Sequence, residues 1–430
     1  MVVKVICAFF VFLETLVVYY FPPTKLTFVA RKFFSNTARF PLNSPLPIIP
    51  IQPVMKKLAS LFAALVLLLG LLSFSFKPPA DEHPSLAIGA QAPDFSLPGV
   101  NGKTYTLNSF KSAPILMIVF TCNHCPTAQA YEDRIIQITK DYKDKGVTVV
   151  AIMPNDPKAI RLDELGYTDM SDTFDEMKLR AANKHFNFPY LYDGATQSVA
   201  HAYGPIATPH VFIFNKERKL CYSGRIDDVE KPTKTPHVQD TRNALDALLA
   251  GKMPDETTTK VFGCSIKWAE KASWLQKAQD EWAKEPVTLG NLDQAGLKAL
   301  LENKTDNLKV VTIWSGSQRG GSEGLPAFVA MNRMYRRRDF EMISINIDSP
   351  ANKGDALKSL QQAQASFTNY LYGGDKSTIV AQIDLKWSGA VPYTLLVEPG
   401  GKIVYAKQGP VNAAEVKKAI VDDPTIGRYY

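Results

Sequence analysis

Phe120-Thr121-Cys122-Asn123-His124-Cys125-Pro126 is the stretch on which the reading of this chain turns. The run that ends there, Ile115 to Phe120, is wholly apolar and reads as a buried strand. After Pro126, Tyr131, Ile135 and Ile138 recur at helical spacing, which predicts a helix over about 124–144. A strand that feeds C-x-x-C into a helix start is a setting for thiol redox chemistry. The first N–H groups of a helix lack partners and carry partial positive charge. That environment stabilises a thiolate, the attacking form of cysteine, and a second thiol one turn away can close a disulfide. Pro126 lacks an N–H where the omission costs little.

Other uses of the spacing fit less well. A zinc site would need a second C-x-x-C or an H-x-x-x-H, and neither is present. Covalent haem needs His directly after the second cysteine, where Pro126 stands. A purely structural disulfide seldom sits at a strand-to-helix turn. No metal and no cofactor is expected.

With its surroundings the stretch resembles the thioredoxin superfamily, and within it redoxins of the AhpC/TSA and TlpA type. Ala92-Pro93-Asp94-Phe95-Ser96-Leu97 looks like their opening motif, and Thr208-Pro209 looks like their cis-proline. Asn123-His124-Cys125-Pro126, with Gly224-Arg225-Ile226-Asp227-Asp228 downstream, is similar to a bacterial peroxiredoxin-like family. The resemblance covers roughly residues 86–268. It implies an α/β fold with a central mixed sheet flanked by helices, and Pro209 beside the dithiol. The Trp that usually precedes the first thioredoxin cysteine is replaced here by Thr121.

The formal net charge of +7 is concentrated at the N-terminus. Residues 1–75 hold seven Lys/Arg and one acidic residue, Glu14, so the remainder is nearly neutral at +1. A neutral body gives no electrostatic reason to expect nucleic-acid binding. The five cysteines, Cys7, Cys122, Cys125, Cys221 and Cys264, are too few for a disulfide-stapled scaffold.

Met55-Lys56-Lys57 followed by Leu58 to Leu72 has the charged start and apolar run of a secretory signal, with small residues for cleavage after Ser75. Export to the periplasm is therefore expected, or membrane tethering if the segment is retained. No stable span is expected after cleavage. Residues 1–54, with a second apolar stretch from Val2 to Phe21, read as an extension from a misassigned upstream start. A genuine N-terminal membrane helix is the alternative, since that run is long enough. Residues 76–85 read as a Pro-rich linker, 86–267 as the redox domain, and 268–286 as a linking helix with Trp268, Ala272, Leu275 and Trp282 on one side. The redox domain has an insertion, Asn155 to Lys184, that either shapes a substrate surface or covers an edge.

Residues 287–430 repeat the plan. Val310 to Trp314 is a strand like 115–120, Tyr370-Leu371-Tyr372 echoes Tyr190-Leu191-Tyr192, and Val391-Pro392 stands where Thr208-Pro209 stood. Lys219 and Tyr222 follow Pro209 at the same distances as Lys402 and Tyr405 follow Pro392. The expected architecture is thus two tandem thioredoxin-like folds. Trp314 and Pro326 resemble the thioredoxin W-x-x-x-C-x-x-C-x-x-x-x-P frame, but its cysteine positions fall on Gln318 and Gly321. This second domain is expected to be a degenerate one without a dithiol.

The leading expectation is an exported thiol–disulfide oxidoreductase acting on protein thiols or disulfides, with an unidentified electron donor. Cys122, as the more exposed thiol, would attack; Cys125 would resolve; His124, as a cation, would favour the thiolate; Pro209 would hold the substrate backbone. A second reading is a hydroperoxide-reducing thiol peroxidase, because Cys125-Pro126-Thr127 resembles the peroxidatic Cys-Pro-Thr. Its wider frame is incomplete, with Ile118 and Cys122 at the Pro and Thr positions. A third is a redox-inert two-domain binding protein. Cys221 reads as a core thiol, and Cys264 as either a buried thiol or a resolving one.

Overall fold

The apolar run at 115–120 becomes a strand buried at every residue, because layers of side chains cover both faces of its sheet. The computed structural model describes residues 83–428, apart from 230–233, 319 and 384–386. The signal-like segment, the extension before it, most of the linker and Cys7 lie outside the described residues. Among the described residues no helix is long and apolar enough to cross a membrane.

The first half runs β1 (Ser96–Pro98), β2 (Thr104–Thr106), β3 (Ile115–Phe120), α1 (Pro126–Tyr142), β4 (Val147–Met153), α2 (Phe174–Asn183), β5 (Tyr190–Tyr192), α3 (Ser198–Tyr203), β6 (Ala207–Thr208), β7 (His210–Phe214), β8 (Leu220–Gly224), α4 (Asp240–Leu249) and β9 (Cys264–Ser265). After α5 (Ala272–Ala283) come β10 (Gly290–Leu292), α6 (Gln294–Glu302), β11 (Leu308–Trp314), α7 (Leu325–Tyr335), β12 (Phe340–Asn346), α8 (Lys353–Gln362), β13 (Thr368–Tyr372), α9 (Lys376–Ile383), β14 (Tyr393–Val397), β15 (Ile403–Gln408) and α10 (Ala413–Asp422).

The two main sheets share one plan. The first has the order β5-β4-β3-β7-β8, parallel up to β3 and antiparallel beyond it. The second has β13-β12-β11-β14-β15 in the same sense, with β10 added at the parallel edge. The repeat extends to the register. Tyr222 pairs with Ile213 and Leu220 with Phe214; Tyr405 pairs with Leu396 and Ile403 with Val397. Each hairpin therefore carries a one-residue irregularity at the same place, at Cys221 in one and Val404 in the other. Cys221 is buried, and burial pushes its thiol up, as suits a core residue. The Thr208–Pro209 and Val391–Pro392 peptide bonds are both cis.

Strand alternation splits the first core in two. Ile115, Met117 and Val119 pack with Tyr131, Ile135 and Ile138 of α1; Leu116, Ile118 and Phe120 face Val199 and Tyr203 of α3. In the second half Leu308, Val310 and Trp314 pack with Phe328 and Tyr335 of α7, opposite Val311 and Ile313.

Three details depart from expectation. The helix after the dithiol begins at Pro126 rather than 124, with Cys125 as its N-cap. The α5 region buries Trp268, Ala278 and Trp282 and leaves Trp274 exposed. The boundary at 267 does not separate two cores, because Ile160 and Leu165 of the insertion belong to the core cluster of the second half. Part of the insertion is thus built into the second half, beyond either role the sequence offered for it.

Candidate active site

Strand β3 ends directly before the dithiol, and a carboxylate distant in sequence shapes the turn that follows. Asp172, fully buried, accepts the backbone N–H of Asn123 (2.8 Å) and of His124 (3.0 Å) on Oδ1. Its Oδ2 lies 2.7 Å from His124 Nδ1 and accepts Asn155 Nδ2 at 2.7 Å. Asn123 donates its side-chain amide to Ser171 O (3.0 Å) and accepts Tyr190 Oη on Oδ1 (3.2 Å). The C-x-x-C turn is therefore fixed from outside by the middle of the insertion. Sequence reasoning missed Asp172; no spacing rule connects an acidic residue before α2 to a turn 48 residues earlier.

Both thiols meet Thr208. Cys122 Sγ is 3.1 Å from Thr208 Oγ1. Protonated, Cys125 donates to Thr208 O at 3.4 Å; ionised, its sulfur keeps the N–H of Ala128, also at 3.4 Å. Pairing of β6 with β9 sets Cys264 opposite Thr208, and the Cys264 thiol reaches Cys125. That approach requires glycine at 263, where φ is +140° and a Cβ would stand 2.0 Å from Thr208 O. Cys122, Cys125 and Cys264 thus form one thiol cluster, with none of them in a disulfide.

The electrostatics divide the pair. Burial pushes Cys122 well above the ordinary thiol range, with Cys125 and Asp172 acting in the same direction. Burial also opposes ionisation of Cys125, but the thiols of Cys122 and Cys264, the charge of His124 and the Ala128 N–H outweigh it, and its pKa falls well below the ordinary value. Cys264 is raised, by its bond to Cys125 and then by burial. Burial would lower His124, yet the Asp172 carboxylate overrides it and raises the imidazole. Asp172 is held low in turn: burial works against its charge, and His124 more than offsets this.

The expectation that Cys122 is the more exposed thiol keeps only its order, since both thiols are buried, while the helix N–H that favours a thiolate reaches Cys125. Cys122 is 2% exposed and Cys125 0%. The reason is local: the helix starts two residues later than its apolar pattern implied, so its free N–H reaches the second cysteine.

Cys122, His124 and Asp172 bring one potential ligand atom each within 4.8 Å of one another. The His124–Asp172 contact and the N–H groups on the carboxylate already satisfy that set as a hydrogen-bonded dyad beside a thiol.

The second-half positions form a different site. Ser315 and Ser317 donate their hydroxyls, and Gly316 its N–H, to Asp348. Those bonds and Asn346 outweigh burial and hold its carboxyl down at about 2. A Cβ at Gly321 would lie 1.9 Å from Ser315 O, so the backbone leaves no room for a side chain there. Pro326 opens α7, and Pro392 leads into β14.

The redoxin family model matches residues 87–245. The thiol-disulfide oxidoreductase ResA of Bacillus cereus is 24% identical over 171 residues, 39% of this chain and 87% of that protein. Among solved structures, the hypothetical protein SMc02350 from Sinorhizobium meliloti 1021 is 37% identical, covering 43% of this chain and 97% of its own, with a TM-score of 0.39. An uncharacterized conserved protein from Geobacillus kaustophilus is 38% identical over 44% of this chain and 96% of its own, with a TM-score of 0.39.

Proposed function

The chain belongs to the redoxins of the thioredoxin superfamily, and on that premise we propose that it is a thiol–disulfide oxidoreductase working through Cys122 and Cys125. The observation that carries this reading is the contact of both sulfurs with Thr208, with a helix N–H on one of them. The Cys125 thiolate attacks a target disulfide, forming a mixed disulfide and releasing one target thiolate. Cys122, deprotonated as the leaving sulfur takes up a proton, then attacks Cys125 and releases the second target thiol. Two electrons pass from the dithiol to the target, and an external thiol donor restores the dithiol. The reverse sequence oxidises target thiols. His124, held cationic by Asp172, supports the thiolate, and Cys264 is a third thiol able to resolve a bond to Cys125.

The closed arrangement hides both sulfurs, so exchange with a protein requires local opening. The segment at 55–75 supports an exported, periplasmic setting. The second half, with Gln318 and Gly321 at the cysteine positions, supports a role without its own redox chemistry.

One observation favours a second reading, a thiol peroxidase. The depressed thiol is Cys125, in Cys125-Pro126-Thr127, with another thiol in reach to condense with a sulfenic acid and release water. The test assays insulin reduction and hydroperoxide consumption side by side, counting free thiols before and after each. Disulfide turnover with loss of two thiols per chain supports the oxidoreductase. Peroxide turnover without it supports the peroxidase, and neither activity leaves the redox-inert binding protein.

A further inference from the structure

The segment that fixes the C-x-x-C turn is itself held by the second half. Tyr335 of α7, fully buried, donates its hydroxyl to Thr168 O at 2.8 Å. Arg338 donates to Gly166 O at 2.8 Å, and Arg428 donates to Asp169 Oδ1 at 2.9 Å. Ile160 and Leu165, just before these residues, are buried in the second-half core. Three residues beyond Asp169 the same stretch of chain presents Asp172 to the backbone of Asn123 and His124. A second connection runs through Gln129 of α1, whose amide donates both to Thr168 Oγ1 (3.0 Å) and to Asn123 O (2.6 Å).

We propose that the second half is a positioning element for the dithiol: Tyr335 and Arg428 hold residues 166–172 in the one arrangement that sets Asp172 against His124. The consequence for chemistry is direct. Asp172 sustains the charge of His124, and that charge is one of the influences favouring the Cys125 thiolate. Hydrogen bonds this short are sensitive to displacement of a few tenths of an ångström. A small shift of the segment therefore changes thiol ionisation without touching either cysteine. The titratable groups facing Cys125 and His124 are Cys122, Asp172, Cys264 and Lys267, with Tyr190 above Asn123. Of these, Asp172 stands on the segment that the second half grips.

This inference rests on the dithiol reading of the site, but its test needs no substrate. In the full chain, Tyr335→Phe removes one hydroxyl and Arg428→Gln removes the ion pairs with Asp169 and Asp422. Thiolate absorbance is followed against pH, and the reduction potential is measured in glutathione buffers. The expected result is a higher ionisation midpoint in both variants, a shift of about half a unit, with about threefold less thiolate at pH values below the midpoint. Arg428→Lys recovers most of the wild-type midpoint, because it keeps a cation opposite Asp169. Lys407→Gln, which breaks an exposed pair with Glu415 in the same half, leaves the midpoint in place. Asp169→Asn tests the same contact from the other side should either first variant fold poorly. An unchanged midpoint and potential in the folded variants, even with a lower melting temperature, overturns the proposal and leaves these contacts purely structural.

Discussion

His124 Nδ1 lies 2.7 Å from Asp172 Oδ2, in a contact where both side chains are almost wholly shielded from solvent. Burial would ordinarily keep an imidazole neutral and a carboxylate protonated; together each sustains the other's charge. The dyad places a cation next to Cys125 and an anion near Cys122, adding to the effects of burial and of the hydrogen bond between the two thiols.

Asp172→Asn is therefore expected to narrow the separation of the two thiol pKa values. Without the carboxylate His124 loses its charge, Cys125 rises, and Cys122 falls because a nearby anion is gone. A rise of about one unit at Cys125 corresponds to about 1.4 kcal/mol and to about tenfold less thiolate below its midpoint. Titration of each single-cysteine form by alkylation rate against pH checks both directions.

The order of attack follows from the same asymmetry. Cys122→Ser should still attack a disulfide and stall as a mixed disulfide on Cys125. Cys125→Ser should lose exchange, since the remaining Cys122 thiol is pushed up by burial and by Asp172. Mass spectrometry after a short exposure to a disulfide substrate reads the trapped species. A mixed disulfide on Cys122 in Cys125→Ser, formed at the wild-type rate, would reverse the assignment. Rapid sulfenylation of Cys125 in Cys122→Ser after a peroxide pulse, without mixed-disulfide formation, would favour the peroxidase.

Restoring cysteines at the degenerate positions should not create a second redox site. In the double variant Gln318→Cys with Gly321→Cys, the new Cβ at 321 collides with Ser315 O, so the turn must rearrange. The expected cost is a few kcal/mol of stability, with no second disulfide detectable by thiol counting under oxidising conditions. A reversible disulfide between the two introduced thiols, in a protein of unchanged stability, would show that the frame is intact after all.

His210 supplies a pH-dependent contribution to stability that is separate from the thiols. Buried beside Ser223, its imidazole is pushed down to about 3. Between that value and about 6.5 the unfolded chain binds a proton that the folded chain excludes. Stability is thus fully present above about 6.5 and is lost as pH falls, approaching about 1.4 kcal/mol per pH unit from this group. His210→Gln should flatten the acid side of a denaturant-midpoint profile, whatever its effect at neutral pH.

Much of this molecule was legible in its sequence because strand and helix periods are local. The all-apolar run at 115–120, the helical spacing of Tyr131, Ile135 and Ile138, and the matched distances past Pro209 and Pro392 each have a counterpart in the sheets and hairpins. Cys122, Cys125 and Thr208 are brought together, and Cys264 joins them. The remainder depended on distant contacts that carry no period. Nothing near Asp172 marks it as the partner of His124. Nothing in the insertion distinguishes Ile160 and Leu165, which serve the second core, from Met177, which serves the first. Which thiol takes the helix N–H was not legible, because a two-residue difference in where α1 begins moves that N–H from one cysteine to the other.

The grip of Arg428 on Asp169 spans 259 residues of sequence. A ribosome delivers the first sheet, both cysteines and the insertion long before it delivers α10 or Arg428. During that interval Ile160 and Leu165 have no core to enter, and the segment beside the C-x-x-C turn lacks its anchor. Nascent chains thus lack this anchor at the dithiol until Arg428 has been made, and a chaperone or a reducing environment has most to protect at that stage. Alkylation of Cys122 and Cys125 in stalled chains of increasing length should fall only once the last helix has emerged.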